Sequence, residues 1–273
     1  MTALDEEPVA RRRPRLSAPR IAEVVAGELR RQIIDGELAD GDYLPRQDVL
    51  VERFNVGLVS LREALRILET EGLISVRRGN RGGAVVHAPA KASAAYMLGL
   101  MLQKDAVYLS DLGTALHELE PTCAALAAAR PDRGATTVPE LRRINEAMSD
   151  QIDDGSAFTE LGRQFHDQIV VGCGNQTIIA VVGSLEALWT SHEQQWAEDA
   201  DARGGYPSLK DRRAVLHTHT RLTDMIEAGD ADRARRMAAK HLTGVHTYVL
   251  TEESDHRIWA TPPQTLSRTR GLQ

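Results

Sequence analysis

The sequence predicts a mainly α-helical chain in two parts: a small N-terminal winged helix-turn-helix and a larger all-α bundle of about six to seven helices. Two observations support this prediction. Apolar residues recur at helical spacing along most of the chain. The strand signal is confined to one short hairpin around residues 73–87. We therefore expect domains at residues 19–88 and 92–254, with a disordered arm at 1–18 and a disordered tail at 258–273.

Length and composition fit a soluble protein with two domains. The 273 residues are 42% hydrophobic and 26% charged, an ordinary globular mixture. No apolar run approaches the roughly 20 residues of a membrane helix, and no apolar signal-peptide core follows Arg11–Arg13. We therefore expect a cytoplasmic protein without a membrane partner. Cys123 and Cys173 have apolar helical neighbours, which predicts two reduced, buried thiols.

Charge is distributed unevenly between the two parts. Residues 8–91 hold 15 Lys and Arg against 11 Asp and Glu, whereas residues 92–273 hold 18 against 25. The formal net charge of −6 therefore hides a basic excess in the N-terminal part. A modest excess on one face is enough to attract a nucleic acid.

The N-terminal part has the element order of a winged helix-turn-helix. The expected helices are residues 20–35, 46–54 and 58–71, with a tight turn at 55–57. The expected strands, 73–76 and 84–87, flank a basic, glycine-rich tip at 77–83. In this arrangement the helix at 58–71 enters the DNA major groove.

Arginines on the predicted recognition helix and the hairpin tip are the best candidates for DNA contact. Arg62 is suited to a guanine edge, because its guanidinium can donate to two acceptors at once. Glycines in the tip allow the backbone to approach a phosphate or the minor groove. The candidate DNA-binding residues are Arg46, Ser60, Arg62, Arg66, Arg77, Arg78, Asn80, Arg81 and Gly82.

The larger part predicts helices at residues 92–104, 107–130, 136–153, 156–172, 176–199, 208–228 and 231–254. His219 and His241 each lie 11 residues from Asp230, which is in a turn signal. At 1.5 Å per residue, both imidazoles would stand roughly 16 Å from that turn. With His166 as a third donor, the bundle predicts a site for Zn, Ni or Mn. The alternative is a metal-free pocket lined by polar histidines.

The stretch Asp40–Val86 resembles the N-terminal domain of the GntR regulators. The matching residues are Gly41 to Pro45, Leu50, Phe54, Arg62-Glu63-Ala64-Leu65, Leu68, Glu71-Gly72-Leu73-Ile74 and the glycine-rich wing. The helical part is similar to the FadR-type ligand-binding domain, so the resemblance extends over about residues 20–254. Two departures concern the operator sequence: Leu58 replaces the usual Arg at the turn, and Arg46-Gln47-Asp48 replaces Ser-Glu-Arg.

The FadR-type resemblance implies the same three histidines as metal ligands. It also implies a carboxylate four residues before the first histidine, but this position is Gly162. Water or an effector carboxylate would then fill the open positions. The resemblance further implies an effector-binding residue on the first bundle helix, where His117 and Glu118 are the candidates. With Gly162, these form the predicted effector-binding set.

The resemblance implies a homodimeric regulator that binds a palindromic double-stranded DNA operator. Its effector is expected to be an organic acid or acyl compound, and repression is the expected outcome. Two other classes remain open at this point. One is a metal-dependent hydrolase that uses the three histidines, although no Glu or Asp base stands at a telling spacing from them. The other is a DNA-binding protein without a ligand.

Overall fold

The computed structural model describes residues 21–77, 83–253 and 255–262. Contacts divide the chain into two compact units, the first ending at Ala90 and the second beginning at Lys91. The predicted arm at 1–18 and most of the wing tip lie outside the described residues. The mainly α-helical fold class is confirmed, since the described residues form ten helices and one two-stranded sheet.

The N-terminal unit contains three helices and an antiparallel hairpin. Its elements are α1 (Ile21–Ile34), α2 (Gln47–Phe54), α3 (Leu58–Thr70), β1 (Ile74–Arg77) and β2 (Gly83–Val86). Helix α1 packs on α3, and Leu29, Leu61 and Leu68 are fully buried between the elements. Asn55 ends α2 in the left-handed conformation with φ 50°, which Asn tolerates better than most residues. This residue produces the tight turn that separates α2 from α3.

The segment before α2 is more regular than the loop that the sequence predicts. In the hairpin, Ile74 pairs with Val86 and Arg77 with Gly83. Tyr43 forms an isolated antiparallel bridge with Val85, and Leu44 N–H donates to Ala84 O at 2.8 Å. This segment therefore lies along β2 as a short third edge and ties the hairpin to the start of α2.

The C-terminal unit contains seven helices within its described residues, in agreement with the predicted bundle. These are α4 (Lys91–Lys104), α5 (Leu109–Ala129), α6 (Thr137–Asp150), α7 (Gly155–Gly172), α8 (Gln176–Ala202), α9 (Leu209–Ala228) and α10 (Ala231–Glu253). Helices α5 and α10 form the most extensive helix pair, and α7 packs on α5, α6 and α8. Gly229, with φ 76°, closes α9 and lets α10 fold back beside it.

The start of α4 is fixed to the helix that carries the first predicted metal ligand. Lys91 Nζ lies 2.5 Å from Asp167 Oδ1 on α7, one residue after His166. Cys123 and Cys173 are free and buried in the core of this unit. None of the described helices is long and apolar enough to cross a membrane.

The expectation of a disordered tail beginning at residue 258 is wrong for residues 258–262. Residues 255–262, which we call the C-terminal strap, run along the α4–α5 connection. Ile258 N–H donates to Val107 O at 2.9 Å, and Ala260 N–H donates to Gln103 Oε1 at 3.0 Å. Ile258 is 1% exposed and the Trp259 ring lies 3.6 Å from that of His192. Apolar burial and backbone pairing therefore order a segment whose prolines and polar residues suggested a tail. Residues 263–273 lie outside the described ones.

Candidate functional site

Helix α3 presents one charged face and buries the opposite one. Leu61, Ala64, Leu65 and Leu68 are buried, while Arg62 and Arg66 are exposed and Ser60 is half-buried. Arg66 is paired with Glu63 at 3.6 Å. Arg62 has no ion-pair or hydrogen-bond partner among the described residues. Its guanidinium is therefore available to an external acceptor.

Sequence reasoning missed an apolar residue on the same face. Val59, the second residue of α3, is 84% exposed. A large aliphatic side chain so exposed at the N-terminal end of a recognition helix suits contact with a thymine methyl group. The signal was present in the sequence, because Val59 lies out of phase with the buried leucines of α3.

The remaining candidate DNA contacts lie at the edges of this unit. Arg46 immediately precedes α2 rather than opening it, and its side chain is 86% exposed and pairs with Asp48 at 3.2 Å. Arg77 is the last residue of β1. The candidates in the wing tip that lie outside the described residues are Arg78, Asn80, Arg81 and Gly82.

In the C-terminal unit, the three predicted histidines converge on one point. His166 is on α7, His219 on α9 and His241 on α10. His241 Nε2 lies 2.9 Å from His219 Nε2 and 3.3 Å from His166 Nε2. The Phe165 ring stacks on His219 at 3.9 Å, which holds the His219 imidazole in its orientation. The hairpin of α9 and α10 thus brings together two residues at equal distance from its turn.

These separations match those of donors around one small metal ion. With Zn–N distances of 2.0–2.1 Å, two nitrogens of a tetrahedral site are about 3.3 Å apart. The three donor atoms all lie within 4.8 Å of one another, and His219 and His241 are buried. Three nitrogen donors are a familiar ligand set for zinc. The residues present therefore fit a divalent transition metal.

Burial keeps these imidazoles neutral. Desolvation lowers the pKa of His166 and lowers the pKa of His219 and His241 well below the ordinary value. The proximity of the rings adds to this effect for His219 and His241, since two imidazolium charges would repel each other. A neutral imidazole has one nitrogen lone pair, which is what a metal requires.

A buried glutamate that sequence reasoning missed stands behind this cluster. Glu120 on α5 is 1% exposed, and its Oε1 lies 2.6 Å from His166 Nδ1, within hydrogen-bonding distance. Burial raises the pKa of Glu120 to about 7, and the charge of Glu193 acts in the same direction. Glu120 continues the buried stripe of Leu112 and Leu116 at intervals of four residues. This four-residue spacing was the sequence signal that could have identified Glu120 as buried.

Next to the histidines is a cavity of about 80 Å³. Residues from α6 to α10 and the α8–α9 loop line it: Met148, Phe158, Thr159, Gly162, Arg163, His166, Glu193, Trp196, Tyr206, Pro207, Arg212, Val215, His219, Val245 and Tyr248. Arg212 lies over the Tyr206 ring at 5.4 Å and donates to two backbone carbonyls, so its position is fixed. A Cβ at Gly162 would meet only Met148 Cε, at 3.9 Å, so this position has room for a side chain.

The prediction that His117 or Glu118 faces this cavity is wrong. Glu118 is exposed. His117 Nε2 lies 2.6 Å from Thr243 Oγ1 and borders a separate open groove between α5 and α10. Two residues along a helix correspond to a rotation of about 200°. The buried position on α5 is therefore that of Glu120, on the opposite face from Glu118.

Comparison with known proteins matches both units. The profile of the bacterial regulatory proteins of the gntR family matches residues 21–86, and that of the FCD domain matches residues 111–244. The chain is 28% identical over 240 residues to the HTH-type transcriptional repressor NanR of Enterobacter sp. (strain 638), covering 86% of this chain and 87% of the relative. It is 29% identical over 248 residues to NanR of Salmonella schwarzengrund (strain CVM19633), covering 86% of each.

A solved structure described as Streptococcus agalactiae GntR has the same fold. It superimposes with a TM-score of 0.59 at 22% identity, covering 82% of this chain and 98% of that one. The winged helix-turn-helix and the helical unit with its cavity thus define a DNA-binding transcription regulator with an effector-binding C-terminal domain. The chain belongs to the GntR family and carries an FCD domain as its C-terminal part.

Proposed function

We propose that this regulator is a repressor that binds a palindromic operator as a homodimer and releases it when a small organic acid enters the C-terminal cavity. We further propose that His166, His219 and His241 hold a divalent metal that takes part in binding the acid. The convergence of three imidazole nitrogens beside the cavity is the observation that carries the proposal. Curated relatives named as transcriptional repressors support the direction of regulation.

For DNA recognition, the exposed face of α3 provides complementary chemistry. Arg62 can donate two hydrogen bonds to guanine, and Val59 can contact a thymine methyl group. Arg46 and the basic wing tip provide phosphate contacts, which add affinity without reading sequence. Two copies would place these faces on two half-sites, as palindromic operators require.

For effector binding, the cavity combines cations with hydrogen-bonding groups. Arg163 and Arg212 line it, together with Thr159 and Tyr206. Three neutral histidines would not neutralise a bound divalent metal, so the metal would attract a carboxylate. When bound, the metal would polarise and orient that carboxylate. The protein residues surround the rest of the acid and exclude water.

The small cavity size supports an allosteric role. Pockets for organic ligands usually measure roughly 300–1,000 Å³, so a cavity of about 80 Å³ must expand to admit one. A ligand that binds only the expanded state shifts the population toward it. Coupling between that expansion and DNA affinity is the regulatory step that we propose.

The experiment measures operator affinity in the presence of candidate acids. A labelled duplex, selected by the wild-type chain from random sequence, is titrated by fluorescence anisotropy with and without zinc and each acid. One acid should weaken binding by at least tenfold for the zinc-loaded chain. His219→Ala should bind the duplex without responding to that acid. If no acid or metal changes either DNA affinity or melting temperature, a ligand-independent DNA-binding protein is the better description.

A further inference from the structure

Glu120 occupies a position that protein stability alone does not explain. It is a carboxyl group on α5 with 1% exposure, and its Oε1 lies 2.6 Å from His166 Nδ1. A second buried carboxyl, that of Glu186, lies beside Glu120 and can donate a hydrogen bond to it only when it carries a proton. Glu120 Oε2 and Glu186 Oε1 have no other hydrogen-bond partner among the described residues. Burial of an incompletely paired carboxylate is costly, and an apolar side chain of the same volume is usually at least as stable.

The contact with Glu120 sets the chemical state of His166. A cation held by the three histidines would favour the ionised form of Glu120. An ionised carboxylate only accepts hydrogen bonds, so it then requires the proton of His166 on Nδ1. The lone pair is then on Nε2, the atom that faces His241 Nε2 at 3.3 Å. Without this acceptor, the neutral ring could carry its proton on Nε2 and would present no lone pair to the cluster.

Glu120 also supplies a charge that the donor atoms lack. The three imidazoles would hold a cation as neutral donors and bring no charge of their own. Position 162, one helical turn before His166 on the cavity side, is a glycine and contributes no side chain. Among the described residues, the carboxyl within hydrogen-bonding distance of the cluster is that of Glu120, which lies behind His166 rather than among the donors. Glu186 and Glu193 act on His166 through their charge.

We propose that Glu120 is the anionic positioning residue of this site, which fixes the His166 tautomer and offsets the charge of a bound divalent cation. The inference rests on the proposed metal-binding function. A hydrogen bond from a ligating histidine to a carboxylate typically contributes 10- to 100-fold to metal affinity. Glu120 acts through His166 and makes no contact with the cation itself.

The test compares zinc affinity with the stability of the metal-free chain. Zinc dissociation constants of full-length variants are measured by competition with a chromophoric chelator, and melting temperatures are measured after metal removal. Glu120→Gln keeps an acceptor but removes the charge, so zinc affinity should fall about tenfold. Glu120→Leu removes both the acceptor and the charge, so zinc affinity should fall about 100-fold. Neither variant should lower the metal-free melting temperature, because each removes a buried charge.

A matched control and a rescue isolate the role of the charge. Glu118→Gln removes the same charge from the exposed face of the same helix and should leave zinc affinity unchanged. Gly162→Asp introduces a carboxylate where only Met148 Cε lies within 4 Å of a Cβ. In the Glu120→Gln background, Gly162→Asp should restore most of the lost affinity.

Each outcome decides the proposal. Zinc binding by the wild type that is unchanged in Glu120→Gln and Glu120→Leu would overturn the role of Glu120 and leave the metal site standing. A wild-type chain that binds no zinc, nickel or manganese would overturn both. A metal-free melting temperature that falls in proportion to zinc affinity in both Glu120 variants would assign Glu120 a structural role instead.

Discussion

Zinc should stabilise the C-terminal unit through the three histidines, and the size of the effect can be worked out. The ion would join α7, α9 and α10 through ligands that are 22 and 75 residues apart in sequence. The unfolded chain holds no such arrangement, so binding adds directly to the free energy of unfolding. At free zinc 100 times the dissociation constant, the gain is about 2.7 kcal/mol. For a unit of this size, each kcal/mol raises the melting temperature by about 2–4 °C. We therefore expect a rise of about 5–10 °C.

The assay is differential scanning calorimetry of the full chain after chelation, with and without zinc. His219→Ala should abolish the shift, because it removes one of three donors. The loss of stacking on Phe165 lowers the melting temperature both with and without zinc, so it cancels in the difference. His217→Ala, on the same helix but exposed, should retain the full shift. A shift that persists in His219→Ala would refute the assignment of these donors. A wild type that does not respond to zinc, nickel or manganese would refute the metal site.

Three further outcomes test other parts of the structure. Arg62→Ala should weaken operator binding by about 1–3 kcal/mol and relax specificity at one base pair, as measured by anisotropy with single-base operator variants. Unchanged operator affinity would contradict the assignment of α3 as the helix that enters the major groove. The pKa of buried His192 is lowered to about 4, so the unfolded chain takes up its proton first and stability falls as pH drops below 6.5. Between pH 6.5 and 4, the free energy of unfolding of His192→Leu should fall by about 3 kcal/mol less than that of the wild type, as measured by denaturant titration. An equal fall in both proteins would show that His192 is not the source of the acid sensitivity. Ile258→Ala should cost about 2–4 kcal/mol in the same titrations, whereas a negligible cost would mean that the C-terminal strap is not part of the core.

The elements of the fold could be predicted from sequence because each has a local signal. The period of apolar residues indicated the helices, and glycines such as Gly229 marked their ends. Counting from the α9–α10 turn placed His219 and His241 at one height, and the structure brings their Nε2 atoms to 2.9 Å. That argument works because an antiparallel helix hairpin converts equal sequence distance from a turn into equal height.

What could not be predicted depended on contacts between distant segments. Glu120 and His166 are 46 residues apart, and no periodicity states which buried residue meets which. The sequence analysis chose Glu118, which lies on the exposed face of α5. The buried positions Leu112 and Leu116, four residues apart, point to Glu120 as the next buried position on the same face. The C-terminal strap was missed for a related reason. Ile258 gains its burial from the α4–α5 connection, more than 100 positions earlier, and its own neighbours carry no helix or strand pattern.

The strap has a practical consequence for dissecting the protein. The FCD profile ends at residue 244 and begins at residue 111, so a fragment cut at those limits would lack α4, the strap and the end of α10. Gly99 of α4 and Ala260 of the strap both lie beside Leu188 of α8, so removing α4 and the strap would expose Leu188 to solvent. The fragment would also lack Val249, which is buried in the core. Its exposed apolar surface would favour aggregation. A fragment that keeps these contacts must include residues 91–262, and ligand or metal measurements on a shorter piece would report on a damaged core.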